Sequence, residues 1–392
     1  MEHKQKNDHS DQTNQKHVLI TGGAGFIGSA LALKLKTLNY NVIIFDNLSK
    51  QIHGGNPEKT SATYSKVKNF ENVIIADIRD REAVKKSLIN VDAVVHLAAE
   101  TGTGQSMYNV VNYCDVNIQG TAILIEEILN LKNQVKKIIV ASSRAIYGEG
   151  LYKCKDHGSQ NPGPRDHNKM TQKLFNHYCE HCGQELEQLA TVESTASKPQ
   201  SIYGVTKLAQ EELILNAAKA AEIDAVALRF QNVYGPGQAL SNPYTGILSI
   251  FSTRARENKP ISIFEDGLES RDFVYIDDIV ESLVLSLENK TSGQFVFNVG
   301  SGVKTSVNEV VQAIINFFKS TSEITISGQY RVGDIRHNHA DLNKINKILG
   351  FKPNVFFETG VKNFLDWVIS QDKAQDGYEK SLDELRQRGL LK

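Results

Sequence analysis

The chain has 392 residues, of which 40% are hydrophobic, with 44 basic and 45 acidic side chains. That length allows two or three domains of ~150 residues with a sizeable core, and the composition excludes a disordered, collagen-like or disulfide-stapled chain. A formal charge of −1 gives no general attraction to nucleic acid or anionic lipid, and no run reaches the ~18 apolar residues of a membrane span.

Residues 1–16 are almost wholly polar and lack the apolar stretch of a secretory signal, so they are expected to form a flexible, solvated tail. Four cysteines in a chain of this size do not suggest a secreted disulfide framework, which places the protein in the cytoplasm. From His17 onward, short apolar runs alternate with amphipathic stretches. The runs His17–Thr21, Val42–Asp46, Val73–Asp77, Ala93–Leu97, Ile138–Ser142 and Ala225–Phe230 read as buried strands. Val116 to Leu131 and Val205 to Ala221 read as helices. This pattern predicts an α/β fold with a doubly wound, Rossmann-type parallel sheet that binds a nucleotide. Residues 17–149 and 200–232 are assigned to it. Residues 150–199, rich in His, Asn, Gly and Pro, interrupt the rhythm as an insertion. Residues 233–392, with Pro/Gly turns and shorter elements, are expected to form mainly a smaller mixed α/β domain. Asp383 to Leu391 reads as a charged terminal helix without a chemical role.

Thr21-Gly-Gly-Ala-Gly-Phe-Ile-Gly28 follows the first strand and opens a helix. Glycines at 22, 25 and 28 let the backbone turn tightly and approach a pyrophosphate seated on the helix N-terminus. Asp46 ends the next strand, where a carboxylate bonds both hydroxyls of an adenosine ribose and repels a 2′-phosphate, favouring NAD over NADP. Asp77-Ile78 stands where it could flank the adenine, although a plain turn aspartate explains Asp77 equally well.

Tyr203-Gly-Val-Thr-Lys207 places a phenol and an ammonium four residues apart on one helix face. A neighbouring ammonium lowers a tyrosine pKa, so the phenolate can act as a base near neutral pH. Ser143, after the fifth strand, is placed to share the substrate hydroxyl.

With these residues in order, the sequence resembles the extended short-chain dehydrogenase/reductase family, the nucleotide-sugar epimerases and dehydratases. The resemblance runs from His17 to Trp367, interrupted by the insertion. It is carried by Thr21 to Gly28, Asp46-Asn47-Leu48-Ser49, His96-Leu97-Ala98-Ala99, Ser143, Tyr203 with Lys207, Arg229 to Pro236, and Arg271-Asp-Phe-Val274. It implies a tightly held NAD contacted at Gly22, Gly25, Phe26, Ile27, Gly28, Asp46, Asn47, Asp77, Ile78, Leu97, Ala98 and Ala99. Tyr203 would be the base. Lys207 would hold the nicotinamide ribose, and Ser143 would bond the reacting oxygen. For the nucleoside-diphosphate sugar it implies Arg271 and Arg331 at the diphosphate, Asn232 on the substrate, Phe264 against the base and Thr101 in the sugar loop. A surface arginine and a core aromatic remain the plain alternatives for Arg331 and Phe264. A homodimer is also implied, pairing the helices Val116 to Leu131 and Val205 to Ala221.

Dehydratases resembling this chain carry an Asp-Glu pair directly after the active-site hydroxyl residue, and related decarboxylases carry a glutamate there. This chain has Arg144 and Ala145, leaving elimination and decarboxylation without their acid/base group. A 4-epimerase needs only the tyrosine, the cofactor and room for a ketone to turn. The loops Glu100 to Tyr108, Leu240 to Gly246 and Phe264 to Arg271 look most like those of dTDP-L-rhamnose 4-epimerases, which make dTDP-6-deoxy-L-talose. The alternatives are a UDP-hexose 4-epimerase, an NAD-dependent nucleotide-sugar reductase or synthase, and a non-catalytic NAD-binding sensor, which typically loses the Tyr/Lys pair.

Within the insertion, Cys154-x-x-His157 and Cys179-x-x-Cys182 have the spacing of a tetrahedral structural zinc site, with His177 and His181 as substitute ligands. Zinc would explain how so polar a stretch stays ordered. Free thiols and an adventitious disulfide are the alternatives. A zinc-dependent nucleic-acid binder is disfavoured because Lys153, Lys155, Arg165, Lys169 and Lys173 are scattered among acids.

Overall fold

The computed structural model describes residues 15–132, 134–240, 242, 246–372 and 377–392. Residues 1–14 of the expected tail lie outside the described residues, as do Ser241, Pro243, Tyr244 and Thr245 of the expected specificity loop.

Seven parallel strands make the main sheet, in spatial order Gln294–Val299, Asp224–Phe230, Lys137–Ser143, Ala93–His96, His17–Thr21, Asn41–Asp46 and Asn72–Ile75. Successive residues feed opposite faces. Val18, Ile20, Val42 and Ile44 lie in one core, and Leu19, Ile43 and Phe45 in the other. A sheet covered on both sides therefore reads as unbroken apolar runs. Strand order reverses between His17–Thr21 and Ala93–His96, where Thr21 faces His96. The crevice beyond the carboxyl ends of such a pair is where an open α/β sheet takes its ligand.

Gln294–Val299 comes from the stretch assigned mainly to the smaller domain, yet it pairs in register with Ala225 to Phe230. The chain thus returns to the large sheet once after leaving it. The smaller domain is built on Ser270–Tyr275, flanked by Asn232–Tyr234, Lys304–Ser306 and His337–Asn338. Within residues 150–199, Tyr152–Cys154 pairs antiparallel with both Gly158–Gln160 and Glu187–Gln188.

Two helices depart from the expected pattern. The stretch expected as one helix from Val116 is a π turn over Cys114–Gln119 followed by an α-helix over Gly120–Asn130. Asn117 explains the wide turn: fully buried, it accepts from the Glu100 amide at 2.7 Å and donates to Thr206 Oγ1 at 2.9 Å. The terminal helix spans Tyr378–Gln387 rather than 383–391. Its buried Tyr378, Ser381, Leu382 and Leu385 recur at helical spacing, and Gly389 at φ +67° marks the turn beyond its end. Leu391 then forms an antiparallel bridge with Arg331. No helix among the described residues is long and apolar enough to cross a membrane.

Candidate functional site

The glycine turn forms at the crevice as its spacing predicts. Gly22 adopts φ +69°, and a Cβ there would come within 2.9 Å of the Ala98 amide nitrogen. A Cβ on Gly28 would lie 2.2 Å from the Gly22 carbonyl oxygen, so the helix packs against the turn only as glycine. Phe26 and Ile27 open the helix Phe26–Thr37, whose N-cap Gly25 supplies no side-chain cap. Its first amides are therefore left for an anion. Leu97 and Ala98 close the other wall: their amides donate to the Thr21 carbonyl at 3.0 Å and to Thr21 Oγ1 at 3.3 Å, and half-buried Ala99 follows.

Asp46 is buried at the end of its strand and accepts from the amides of Ala24 and Leu48 at 3.0 and 2.9 Å. Each carboxylate oxygen keeps a further lone pair for a ribose hydroxyl. Asn47 Nδ2 donates to Asp77 at 3.2 Å. Asp77 is forked by Arg79 at 2.8 and 2.9 Å, which holds its carboxyl down to about 2. Ile78 is a core residue: it is buried, and a Cβ on Gly120 would meet it at 2.5 Å. Only its backbone remains to meet an adenine. These features fit an NAD held as the sequence implies.

Ser143 ends the strand Lys137–Ser143, where its hydroxyl accepts from the Ala145 amide at 3.1 Å and lies close enough to the Tyr203 phenol to lower its pKa. Tyr203 begins the first turn of the helix Ile202–Ala220, where Ser201 caps by accepting from the Gly204 amide at 3.1 Å. A second anchor, Ser106, was not apparent in the sequence: fully buried, its Oγ accepts from the Tyr203 amide at 3.0 Å. Lys207 is buried, and its ammonium donates to Gln210 Oε1 at 2.6 Å. Gln210 in turn donates to Thr121 at 2.8 Å and lies 3.1 Å from His96. Burial, with Lys207 nearby, drives the His96 pKa down to about 3, so the imidazole is a neutral link in this chain. Gln210 was visible only as a polar residue one turn beyond Lys207.

The expected electrostatics need revision here. Burial pushes the Tyr203 phenol up, and the opposing influences are the nearby Ser143 hydroxyl and the charge of Arg144, not Lys207. Lys207 points to Gln210, and burial brings its own pKa down to about 7 against the pull of Glu211.

The substrate side is a ring of arginines. Arg144, read in the sequence only as the absence of an acid, donates from Nε to Asn232 Oδ1 at 2.8 Å. Burial and neighbouring Arg271 bring its pKa down to about 10. Arg271 and Arg331 converge as expected, but on Asp334, which accepts from them at 2.8 and 2.7 Å. Burial alone would raise the Asp334 carboxyl. Arg331, Arg271, Arg165 and Arg144 together hold it well below the usual range. Asp334 therefore stands where these guanidinium groups would meet another anion. Phe264 is half-buried with the Arg331 guanidinium 5.3 Å above its ring, so one aromatic face is already shared. Thr101 is exposed on its loop, and its carbonyl accepts from Tyr113 at 2.5 Å.

In the insertion, Cys154, His157, Cys179 and Cys182 converge, with ligand atoms all within 4.8 Å of one another. His177 does not join them. It faces Glu149 at 3.1 Å and packs edge-on against Tyr152. His181 tilts against the His157 ring at 5.0 Å.

Known proteins resemble this chain in sequence and fold. The sequence pattern of the NAD dependent epimerase/dehydratase family matches residues 18–300. A dTDP-L-rhamnose 4-epimerase from Burkholderia thailandensis is 36% identical across 91% of this chain and 96% of its own length. The crystal structure of a UDP-glucose 4-epimerase from Thermotoga maritima with UDP-glucose superposes with a TM-score of 0.74 at 28% identity, covering 90% of this chain and 99% of that one. A UDP-glucuronic acid 4-epimerase from Bacillus cereus, solved with UDP-glucuronic acid and NAD, gives 0.73 at 26% identity with the same coverage. With its glycine cradle, its Ser143–Tyr203 contact and the buried Lys207 one turn on, the chain belongs to the NAD dependent epimerase/dehydratase family.

Proposed function

We propose that the protein is an NAD-dependent nucleoside-diphosphate-sugar 4-epimerase that interconverts dTDP-L-rhamnose and dTDP-6-deoxy-L-talose. The observation that carries the reaction type is Ser143 beside the Tyr203 phenol, with an arginine, Arg144, at the position where a dehydrating relative needs a carboxylate. The choice of sugar rests on the similarity to the Burkholderia thailandensis enzyme across nearly its whole length.

The chemistry follows from these side chains. NAD, when bound in the glycine cradle, supplies a hydride acceptor that returns the hydride within one turnover. Tyr203 accepts the proton of the C4 hydroxyl, while Ser143 hydrogen-bonds the same oxygen as it becomes a ketone. Lys207, fixed by Gln210, lies where a ribose hydroxyl would meet its ammonium. The 4-keto sugar then turns its opposite face, and Tyr203 gives the proton back. Turning requires a loose hold on the sugar and a firm one on the diphosphate. Arg271 and Arg331 provide the firm hold by exchanging Asp334 for phosphate oxygens, which a guanidinium fork suits geometrically. The enzyme is proposed to act in the cytoplasm as a homodimer, for which the exposed Val110, Val111 and Val205 supply apolar surface beside the helix Ile202–Ala220.

Proton NMR of dTDP-L-rhamnose incubated with purified protein and no added cofactor tests this, beside UDP-glucose and UDP-glucuronic acid. Appearance of a second dTDP-6-deoxyhexose with inverted C4 couplings is the expected result. Turnover of a UDP-sugar alone would keep the mechanism and overturn the sugar assignment. Conversion only with external NADH would identify a reductase or synthase. Inertness toward all three despite bound NAD would favour a sensor.

A further inference from the structure

The Cys154, His157, Cys179 and Cys182 cluster takes no part in the reaction above. Cys154 Sγ lies 3.6 Å from both His157 Nδ1 and Cys182 Sγ, and Cys179 Sγ lies 3.6 Å from His157 Nδ1. A tetrahedral zinc ion with bonds of about 2.3 Å to sulfur and about 2.0 Å to nitrogen sets ligand–ligand edges of roughly 3.5–3.8 Å. These three spacings fall on those edges, and all four ligand atoms lie within 4.8 Å of one another. A disulfide, with sulfurs about 2.05 Å apart, would use two of the three thiols and leave His157 without a purpose.

The two ligand pairs sit on reverse turns of one design. Each is followed directly by a glycine in the left-handed region, Gly158 at φ +72° and Gly183 at φ +74°. Gln160 Nε2 donates to Cys179 Sγ at 3.2 Å, an outer partner of the kind that orients a metal-ligating side chain. Apolar support is thin: around these turns the core consists of Tyr152, Cys154, Cys179 and Leu186, and two of those four are themselves ligands. So small a core needs a staple.

We propose that Cys154, His157, Cys179 and Cys182 bind one structural zinc ion that clamps residues 150–199 against the substrate wall. Four protein ligands close the coordination sphere, so the ion has no open position for catalysis. The clamped module supplies the groups that brace the arginine ring. Arg165 forks Glu265 at 2.7 and 2.8 Å and donates to the Asp334 carbonyl at 3.0 Å. Asn176 accepts from Arg336 at 2.8 Å, and His177 meets Glu149. Asp334, between Arg271 and Arg331, is thereby tied through Arg165 to the insertion that carries the metal.

Metal analysis of the full-length, tag-free protein purified from zinc-supplied cells tests this whether or not the protein turns over a sugar. One zinc per chain is expected, released stepwise as a mercurial titrates three thiols. Cys114→Ser should retain the zinc, because Cys114 lies on a separate element, and Cys179→Ser should lose it. Because Cys179→Ser also alters one of the four core residues of the insertion, exchange of cobalt(II) into the wild-type chain gives an independent reading through thiolate charge-transfer bands and tetrahedral d–d absorption. Well under one-tenth of a zinc per chain, with all thiols freely alkylated in the native protein, would overturn the assignment. A native disulfide between Cys154 and Cys182 would overturn it equally.

Discussion

The two halves of the active site are held together by different physics. The cofactor wall is part of a seven-stranded sheet whose residues vanish into two apolar cores, and the polar contacts behind it, such as Thr21 with His96 and Gln210 with Thr121, join mainly neutral groups. The substrate wall is braced by charges drawn from distant parts of the chain. Arg165 and Arg336 both reach the buried Glu265, Arg336 also pairs with Asp266, and Arg271 and Arg331 share Asp334. Packing tolerates graded loss, because neighbours relax into a cavity. A buried charge network does not, because removing one partner strands the others. This division also suits epimerisation: a rigid cradle fixes the cofactor, while an ionic wall can exchange an internal carboxylate for an incoming diphosphate.

The largest predicted effect lies on the seam between the halves. Tyr203→Phe keeps the ring and removes the proton acceptor, so kcat should fall by roughly 10²–10⁴, with NAD still retained after gel filtration. Loss of NAD along with activity would mean that the seam, rather than the chemistry, had been disturbed. Next come paired deletions that set the walls against each other. Leu31→Ala opens a cavity in the cofactor core and should cost ~2–5 kcal/mol of unfolding free energy. Glu265→Gln leaves Arg165 and Arg336 short of a buried partner and should cost ~3–5 kcal/mol. Hydrogen exchange should report the first loss across the main sheet and the second mainly around Arg165, Arg336 and the insertion. A shared pattern would deny that the two walls are separately supported.

A smaller effect follows from the pair at the seam. Below about pH 7 both Tyr203 and Lys207 hold their protons in the free enzyme, because burial raises one and lowers the other to about 7. No base is then available. As pH rises through 7 Lys207 gives up its proton first, and a fixed minor fraction of that singly protonated pair carries phenolate beside ammonium. Accordingly kcat/KM should drop about tenfold per pH unit below roughly 7 and level off above it, and Lys207→Met should abolish that limb. A wild-type limb that persists unchanged in Lys207→Met would assign it elsewhere.

The contrast between the walls also explains what the sequence discloses. Strand runs such as Val18 to Ile20, the glycines at 22, 25 and 28, and the Tyr203/Lys207 pair are local patterns, each dictated by geometry within a few residues. Ser106, Asp334 and Gln210 carry no such pattern. Ser106 matters because a loop folds back onto the amide of Tyr203, nearly a hundred positions later, and Asp334 because two arginines converge on it from separate strands and loops. Arg144 reads in the sequence as a missing acid, whereas in the structure its positive charge opposes the rise of the Tyr203 pKa. Ile78, expected beside the adenine, carries no local sign that its side chain fills the space that Gly120 leaves. The strand Gln294–Val299 escaped because its partner, Asp224–Phe230, lies some seventy residues upstream.

The smallest predicted effect concerns the chain end, which the sequence marks only as charged and which touches both walls. Leu382 and Leu385 lie in a cluster with Tyr108 from the cofactor side and Phe264 from the substrate side, and Tyr108 donates to Glu384 at 2.9 Å. Beyond the helix, Leu390 and Lys392 accept from the amides of Val332 and Tyr330 at 2.9 and 2.8 Å, bracketing Arg331. Removing residues 390–392 deletes those bonds but leaves the guanidinium, Phe264 and the helix in place. A neutral backbone bond contributes ~0.5–1.5 kcal/mol net, so Arg331 should sample more orientations and the KM for the sugar nucleotide should rise roughly threefold to tenfold. Neither Tyr203 nor Lys207 is touched, so kcat and the pH limb of kcat/KM should hold. If kcat fell instead while KM held, the strap would be acting through Tyr108 on the cofactor wall, and the two walls would be coupled more tightly than their separate supports imply.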